Sequence, residues 1–254
     1  MYPIPEKPKA ADLLLGKRAL VTNSTAYMGP AICERFKEEG AEVIAIETPY
    51  FDTSAEVDQI VDGAGDLDIL VINQSFPGVH SPSDQIDDDY FASILKIGPQ
   101  NTMWYARAAL RQMMKKQKGK IVAVTSGAAL YGAPQSAAYS CARGAQDALL
   151  VTMAHEAAAF NVQINVIGQN IVKNPTFWRD EDINTPYIQE MVKRDVPVGR
   201  FAEGWETADL AVFLASDRNN FLVGERFAFT GGWITWSRDE NGNPWGDNAA
   251  RGQK

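Results

Sequence analysis

Six short runs of β-branched and aliphatic residues punctuate the chain: Arg18–Thr22, Glu42–Glu47, Asp68–Asn73, Lys120–Thr125, Val162–Ile167 and Arg226–Phe229. Runs such as Ile69–Ile72 are apolar at every position rather than at every second one. They therefore predict strands covered on both faces, as in parallel sheets. Between them lie segments of helical period: Gly29–Glu39, stopping at Gly40, then Ala55–Asp62, Asp84–Leu95, Thr102–Lys116, Tyr139–Phe160 and Thr207–Ser216. Parallel neighbours need crossovers of a dozen or more residues, and these helices supply them. The expected fold is α/β, a single Rossmann-like doubly wound parallel sheet flanked by helices. Only about twenty residues separate Glu47 from Leu67, enough for one helix but not for a further strand. The sheet edge after the second strand is therefore expected to be reduced. One domain is expected over residues 1–254, with an N-terminal arm at 1–16 and an irregular tail at 237–254.

Composition narrows the class. A chain of 254 residues, 45% hydrophobic, can bury a full core unaided. Its net charge of −8 argues against nucleic acid as a partner. The basic stretch Lys115–Lys120 reads as a solvated helix C-terminus. No apolar run reaches about 18 residues, so no membrane span is expected. The N-terminus lacks the basic-then-apolar layout of a signal peptide. Cys33 and Cys141 form no CxxC and sit in predicted helices, which fits a reducing cytoplasm. With only His80 and His155, no metal site is expected.

Doubly wound folds bind ligands at the carboxyl edge of the sheet, and the first strand–helix turn holds pyrophosphate where glycines let the backbone come close. That turn here reads Thr22-Asn23-Ser24-Thr25-Ala26-Tyr27-Met28-Gly29. Asn23 and Tyr27 place side chains where a phosphate would need room. The Tyr27 phenol is expected to point towards the carboxyl edge of the sheet. The turn reads either as a core-packed aromatic turn or as a variant dinucleotide site, and Glu47, at the end of the second strand, supports the latter only weakly.

Ser126 follows the strand Lys120–Thr125 at the same edge. Tyr139 opens the long helix, and Arg143 stands one turn later on the same face. A phenol ordinarily titrates near pH 10, so phenolate chemistry near neutrality needs roughly 4 kcal/mol of extra support. A permanent cation close by contributes to it. Ser126 can hold a substrate oxygen. His80, in the Gly/Pro/Ser loop Phe76–Ser83, reads as part of the pocket wall or as an acid–base group. His155 reads as helix surface or core.

These residues carry a resemblance. The strand order, the Ser126…Tyr139-xxx-Arg143 spacing and Gly231-Gly232 resemble the short-chain dehydrogenase/reductase family. The chain departs from that family at two glycines of TGxxxGxG (here Asn23 and Tyr27), at Tyr-xxx-Lys (here Tyr-xxx-Arg) and at NNAG (here Asn73-Gln74-Ser75-Phe76). The departures resemble the halohydrin dehalogenases, whose T-x4-[F/Y]-x-G is matched by Thr22, Tyr27 and Gly29. Their S-x12-Y-x3-R is matched by Ser126, Tyr139 and Arg143.

The resemblance implies a cofactor-independent lyase that turns vicinal haloalcohols into epoxides. Such an enzyme also opens epoxides with halide, azide, cyanide or nitrite. It implies Ser126, Tyr139 and Arg143 as catalytic residues. It places halide and substrate at Tyr27, Gln169, Asn170, Ile171 and Val172, with Phe177, Trp178 and Tyr187 in the covering segment. It also implies a homotetramer, in which a tail aromatic such as Trp245 reaches a neighbouring subunit. Trp233 and Trp236 precede it. Three other readings stay open at this level: an NAD(P)-dependent reductase with an atypical first turn, a non-catalytic binding relative, and a cofactor-free lyase or epoxide-opening enzyme of other specificity.

Overall fold

The computed structural model describes residues 3–233. Trp236, Trp245 and the expected tail lie outside the described residues. The order of elements is β1 (Arg18–Val21), α1 (Gly29–Glu38), β2 (Glu42–Ala45), α2 (Ser54–Gly63) and β3 (Ile69–Ile72), then α3 (Asp88–Leu95) and α4 (Asn101–Lys116). After these come β4 (Gly119–Ser126), α5 (Ala128–Tyr131), α6 (Ala137–Ala158), β5 (Val162–Gln169), α7 (Asp180–Ile183), α8 (Pro186–Asp195), α9 (Gly204–Ala215) and β6 (Arg226–Phe229).

The strands form one parallel sheet in the order β2-β1-β3-β4-β5-β6. This is the doubly wound α/β architecture expected from the strand pattern. The chain leaves β1 towards β2 and then crosses back to β3 on the other side. The switch point therefore lies between β1 and β3, where such sheets open a crevice. Among the described residues no strand lies beyond β2, whose Glu42 and Ala45 are exposed. The short β2–β3 connection accommodates α2 alone, so the edge is reduced as the spacing predicts. α2 starts with a capping box between Thr53 and Glu56.

Two apolar layers flank the sheet. One packs α2, α4 and α6 against Leu20, Leu70, Ile121 and Ile164; the other packs α1 and α9 against Ala19, Val71, Val124 and Ile167. Alternate strand residues feed opposite layers, as the pleat requires. The arm lies along α1: Lys7 pairs with Glu34 and Glu38, and the Ala11 and Leu13 amides donate to Glu39. Among the described residues no helix is long and apolar enough to cross a membrane.

Several expected helix starts move, and the helix expected from Thr207 already begins at Gly204. The segment from Asp84 opens with a single 3₁₀ turn at Ser83–Gln85, and α3 begins only at Asp88 because the Asp87 carboxylate accepts the Tyr90 amide. α6 begins at Ala137, two residues before Tyr139, which puts the phenol in the first turn rather than at its opening. Between α3 and α4 the helix widens into a π-turn over Lys96–Gln100 containing Pro99. Gly98 is required there, because a Cβ would lie 2.5 Å from the Phe76 ring.

Candidate active site

β4 and β5 end in register, Ser126 opposite Gln169. Their carboxyl ends open into a cavity of about 450 Å³. Of the sequence-predicted residues, Ser126, Tyr139, Tyr27, Gln169, Asn170, Ile171, Val172, Phe177 and Trp178 line it together. Arg143 does not. It is fully buried behind Tyr139.

The guanidinium is held through two of its three nitrogens. Its Nε donates to the Tyr139 hydroxyl at 3.1 Å, and its Nη1 donates to the Gln74 carbonyl at 2.9 Å and to Gln146 at 3.1 Å. Gln146 in turn donates to Thr102 on α4. Three rings surround the cation: Phe76 at 4.2 Å, Tyr139 at 5.2 Å and Tyr27 at 5.6 Å from its carbon to their centroids. Rings at these distances hold a cation through their negative faces. Ser126 accepts the Ala128 amide at 3.2 Å. Its own hydroxyl hydrogen is therefore left to donate into the cavity.

In the first turn, Asn23 and Tyr27 hold φ of 48° and 52°. These are the two positions where the resembled pattern has glycine, so the turn keeps a glycine-like backbone while carrying side chains. Asn23 donates to Ser75 and to the Asn73 carbonyl. Tyr27 points to the carboxyl edge as expected and donates its hydroxyl to the Thr125 carbonyl at 2.7 Å. Burial, the dominant effect, pushes its pKa well up, so it stays a neutral phenol. Gly29 cannot change: a Cβ would lie 2.5 Å from the Asn23 carbonyl oxygen.

The loop after β5 forms the far wall. Ile171 has a φ of 58°, an outlier for a β-branched residue. Its amide is taken by the Asn170 side chain. Val172 is buried, and its amide donates to no group among the described residues. Val172 lines the cavity, and a buried free N–H beside a cavity is a ready donor for an anion. The Tyr27 and Phe177 rings meet edge to face at 5.6 Å beside it.

Sequence reasoning missed Asn174, which fixes this wall. Its amide donates to the Val172 carbonyl, and its carbonyl accepts the Thr176 and Phe177 amides; Thr176 then accepts the Tyr27 amide at 2.6 Å. Asn174-Pro175 is a turn signal that could have flagged it. Ser136 and Trp233 also line the cavity, with Trp233 against Tyr131. His80 stands at the mouth, its Nδ1 3.0 Å from the Ser136 hydroxyl. Tyr187 departs from expectation: it is 74% exposed on α8 and does not border the cavity, because α8 turns its apolar residues Ile188, Met191 and Val192 inward instead. His155 is exposed near the end of α6, as helix surface. Cys33 and Cys141 are free.

A nicotinamide dinucleotide does not fit these residues. Tyr27 is 5% exposed in the phosphate turn, and Phe76 covers the cation where a ribose would need an open basic side chain. Among the described residues no group of three His, Cys, Asp or Glu could hold a metal ion.

Comparisons with known proteins agree on the fold. A family described as enoyl-(acyl carrier protein) reductase matches residues 50–234, well over half of the chain. The glucose 1-dehydrogenase of Gluconobacter oxydans is 27% identical, over 91% of this chain and 96% of that protein. A solved dehalogenation enzyme superposes with a TM-score of 0.81 at 25% identity, covering 87% of this chain and all of that one. A halohydrin dehalogenase bound to ethyl (2S)-oxiran-2-ylacetate superposes with a TM-score of 0.80 at 22% identity, over 88% of this chain and 99% of that one. That second likeness is one of fold. With its parallel sheet, Ser–Tyr pair and family match, the chain belongs to the short-chain dehydrogenase/reductase superfamily of enzymes.

Proposed function

We propose that this protein is a cofactor-independent halohydrin dehalogenase. The observation that carries the reading is the burial of Arg143: its Nε is 3.1 Å from the Tyr139 hydroxyl, while Phe76 and Tyr27 close over the cation. A basic residue sealed in this way can support a phenolate but cannot reach a cofactor ribose. The similarity to the solved dehalogenation enzyme supports the same reading.

In this mechanism the substrate hydroxyl sits between Ser126 and Tyr139. Tyr139, as phenolate, takes the hydroxyl proton, and the Ser126 hydroxyl donates to the developing alkoxide. The alkoxide oxygen attacks the adjacent carbon from behind, and the halide leaves with the electron pair of the carbon–halogen bond. One C–O bond forms, one carbon–halogen bond breaks, and the products are epoxide, halide and a proton on Tyr139. The step is intramolecular, so orientation supplies much of the acceleration. The halide is received by the Val172 amide and by the positive edges of the Tyr27 and Phe177 rings. Asn170, Ile171 and Gln169 shape that wall, and Trp178 and Trp233 cover the apolar part of the substrate. In reverse, an anion on the same wall opens an epoxide. Homotetrameric assembly belongs to the same proposal.

The similarity to glucose 1-dehydrogenase favours a second reading, a nicotinamide-dependent reductase that uses the same Ser–Tyr pair. Halide release from 1,3-dichloro-2-propanol by the unmodified chain and by Ser126→Ala distinguishes them. The proposal expects release from the first and a drop of about a hundredfold or more in the second. No release from the unmodified chain, together with tight NADH binding, returns the protein to the reductases.

A further inference from the structure

Polar groups continue behind the phenol–guanidinium pair. Asp147 lies one turn beyond Arg143 on the same face of α6 and is 1% exposed. Among the described residues neither of its carboxylate oxygens has a hydrogen-bond partner, and Arg143 Nη2 and the Thr125 hydroxyl lack one too. A carboxylate without donors in a helix otherwise rich in Ala and Leu is expensive to keep. The charged groups that face it are Arg143 from its own helix and Arg226 from β6. From β4 it is faced by the Thr125 hydroxyl, in geometry that falls short of a full hydrogen bond. Burial is the dominant effect on this carboxyl and carries its pKa up to about 6. Thr125 also joins Asp147 to the far wall, since its carbonyl accepts the Tyr27 hydroxyl.

We propose that Asp147 is a positioning residue for the Tyr139–Arg143 pair, its carboxylate setting how much of the Arg143 charge remains to hold a phenolate at Tyr139. The proposal rests on the reading of Tyr139 as the base. An ionised carboxylate one turn from the guanidinium offsets the cation and opposes the phenolate. A neutral group there leaves the cation undivided. The residue therefore trades charge balance in the buried pair against base strength.

The test uses the full chain and Asp147→Asn, which keeps the shape and removes the charge. Halide release is followed across pH, and the acid limb of kcat/KM is expected to move down by about one pH unit. Asp147→Glu keeps the charge and is expected to hold the limb near its original place. If Asp147→Asn does not fold, Asp147→Ala removes the same charge with a smaller side chain and gives the same comparison. A change in rate that is equal at every pH overturns the proposal and leaves Asp147 a structural residue. A second readout does not need turnover: ultraviolet difference titration of phenolate, with Tyr139→Phe as the blank. The phenolate absorbance missing from that blank is expected at lower pH in Asp147→Asn than in the unmodified chain. Failure of the unmodified chain to release halide removes the functional reading. In that case an unmoved phenolate titration also overturns the Asp147 proposal, and a moved one sustains it.

Discussion

Replacing Tyr27 with glycine separates the roles of this residue, because three terms of different sign meet there. The side chain is 5% exposed and packs edge to face on Phe177 and beside Arg143. Deleting a buried aromatic of this kind costs about 3–5 kcal/mol. The Thr125 carbonyl loses its donor, which costs about 1 kcal/mol more. Against this, the φ of 52° is left-handed, and glycine relieves about 1 kcal/mol of strain. The net expectation is a loss of about 4 kcal/mol, or a fall in Tm of about 10 °C for a chain of this size. Tyr27→Phe keeps the ring and loses only the hydroxyl, so about 1 kcal/mol is expected. The functional half uses bromide binding, read by fluorescence of Trp178 and Trp233, which line the cavity. Tyr27→Gly should weaken bromide at least about tenfold, the loss of one favourable wall contact, while Tyr27→Phe should leave it nearly unchanged. Unchanged bromide affinity in Tyr27→Gly would remove Tyr27 from the anion wall.

Four further outcomes follow from the same geometry. Tyr139→Phe should fold normally by circular dichroism and lose halide release by at least about a hundredfold; retained turnover would sink its assignment as base. Arg143→Lys keeps a charge but cannot bond Tyr139, Gln74 and Gln146 at once, so kcat should fall well below that of the unmodified chain even though the charge is conserved. Asp147, raised in the fold to about 6 from an ordinary value of 3.8, binds its proton more tightly when folded. Its contribution to stability is therefore full below about pH 4 and lost as pH rises through 6, by roughly 3 kcal/mol at most. Urea unfolding of the unmodified chain and of Asp147→Asn should show this as a difference that grows between those pH values; parallel curves would contradict it. Gly98→Ala should push Phe76 off Arg143 and cost about 1–3 kcal/mol, measured by thermal unfolding.

The parts of the fold that rest on local pattern were legible. Strands buried on both faces, such as Ile69–Ile72, are continuous apolar runs, and the short connection after β2 left no room for another strand. The candidate site was legible where chemistry sits at fixed offsets from those strands: Ser126 and Gln169 at adjacent strand ends, and Tyr139 and Arg143 one helical turn apart. What could not be read depends on contacts between distant segments. Arg143 is sealed by Phe76, 67 positions earlier in the chain, and nothing near Arg143 announces that. Asp147 reads as an ordinary polar helix residue until its burial is known. Asn174 acts through backbone groups of its own loop and through Thr176 on Tyr27, a link that spans the site. Tyr187 failed the other way: an aromatic in a covering segment suggested the pocket, but its register on α8 turns it to solvent.

In the proposed function Tyr139, supported by Arg143, performs the reaction without nicotinamide. The most direct measurement incubates the full chain with 1,3-dibromo-2-propanol and no added nicotinamide, following bromide and epoxide together. Both are expected in equal amounts over many turnovers. No bromide without nicotinamide, together with NADH-dependent reduction of a carbonyl substrate, would contradict it.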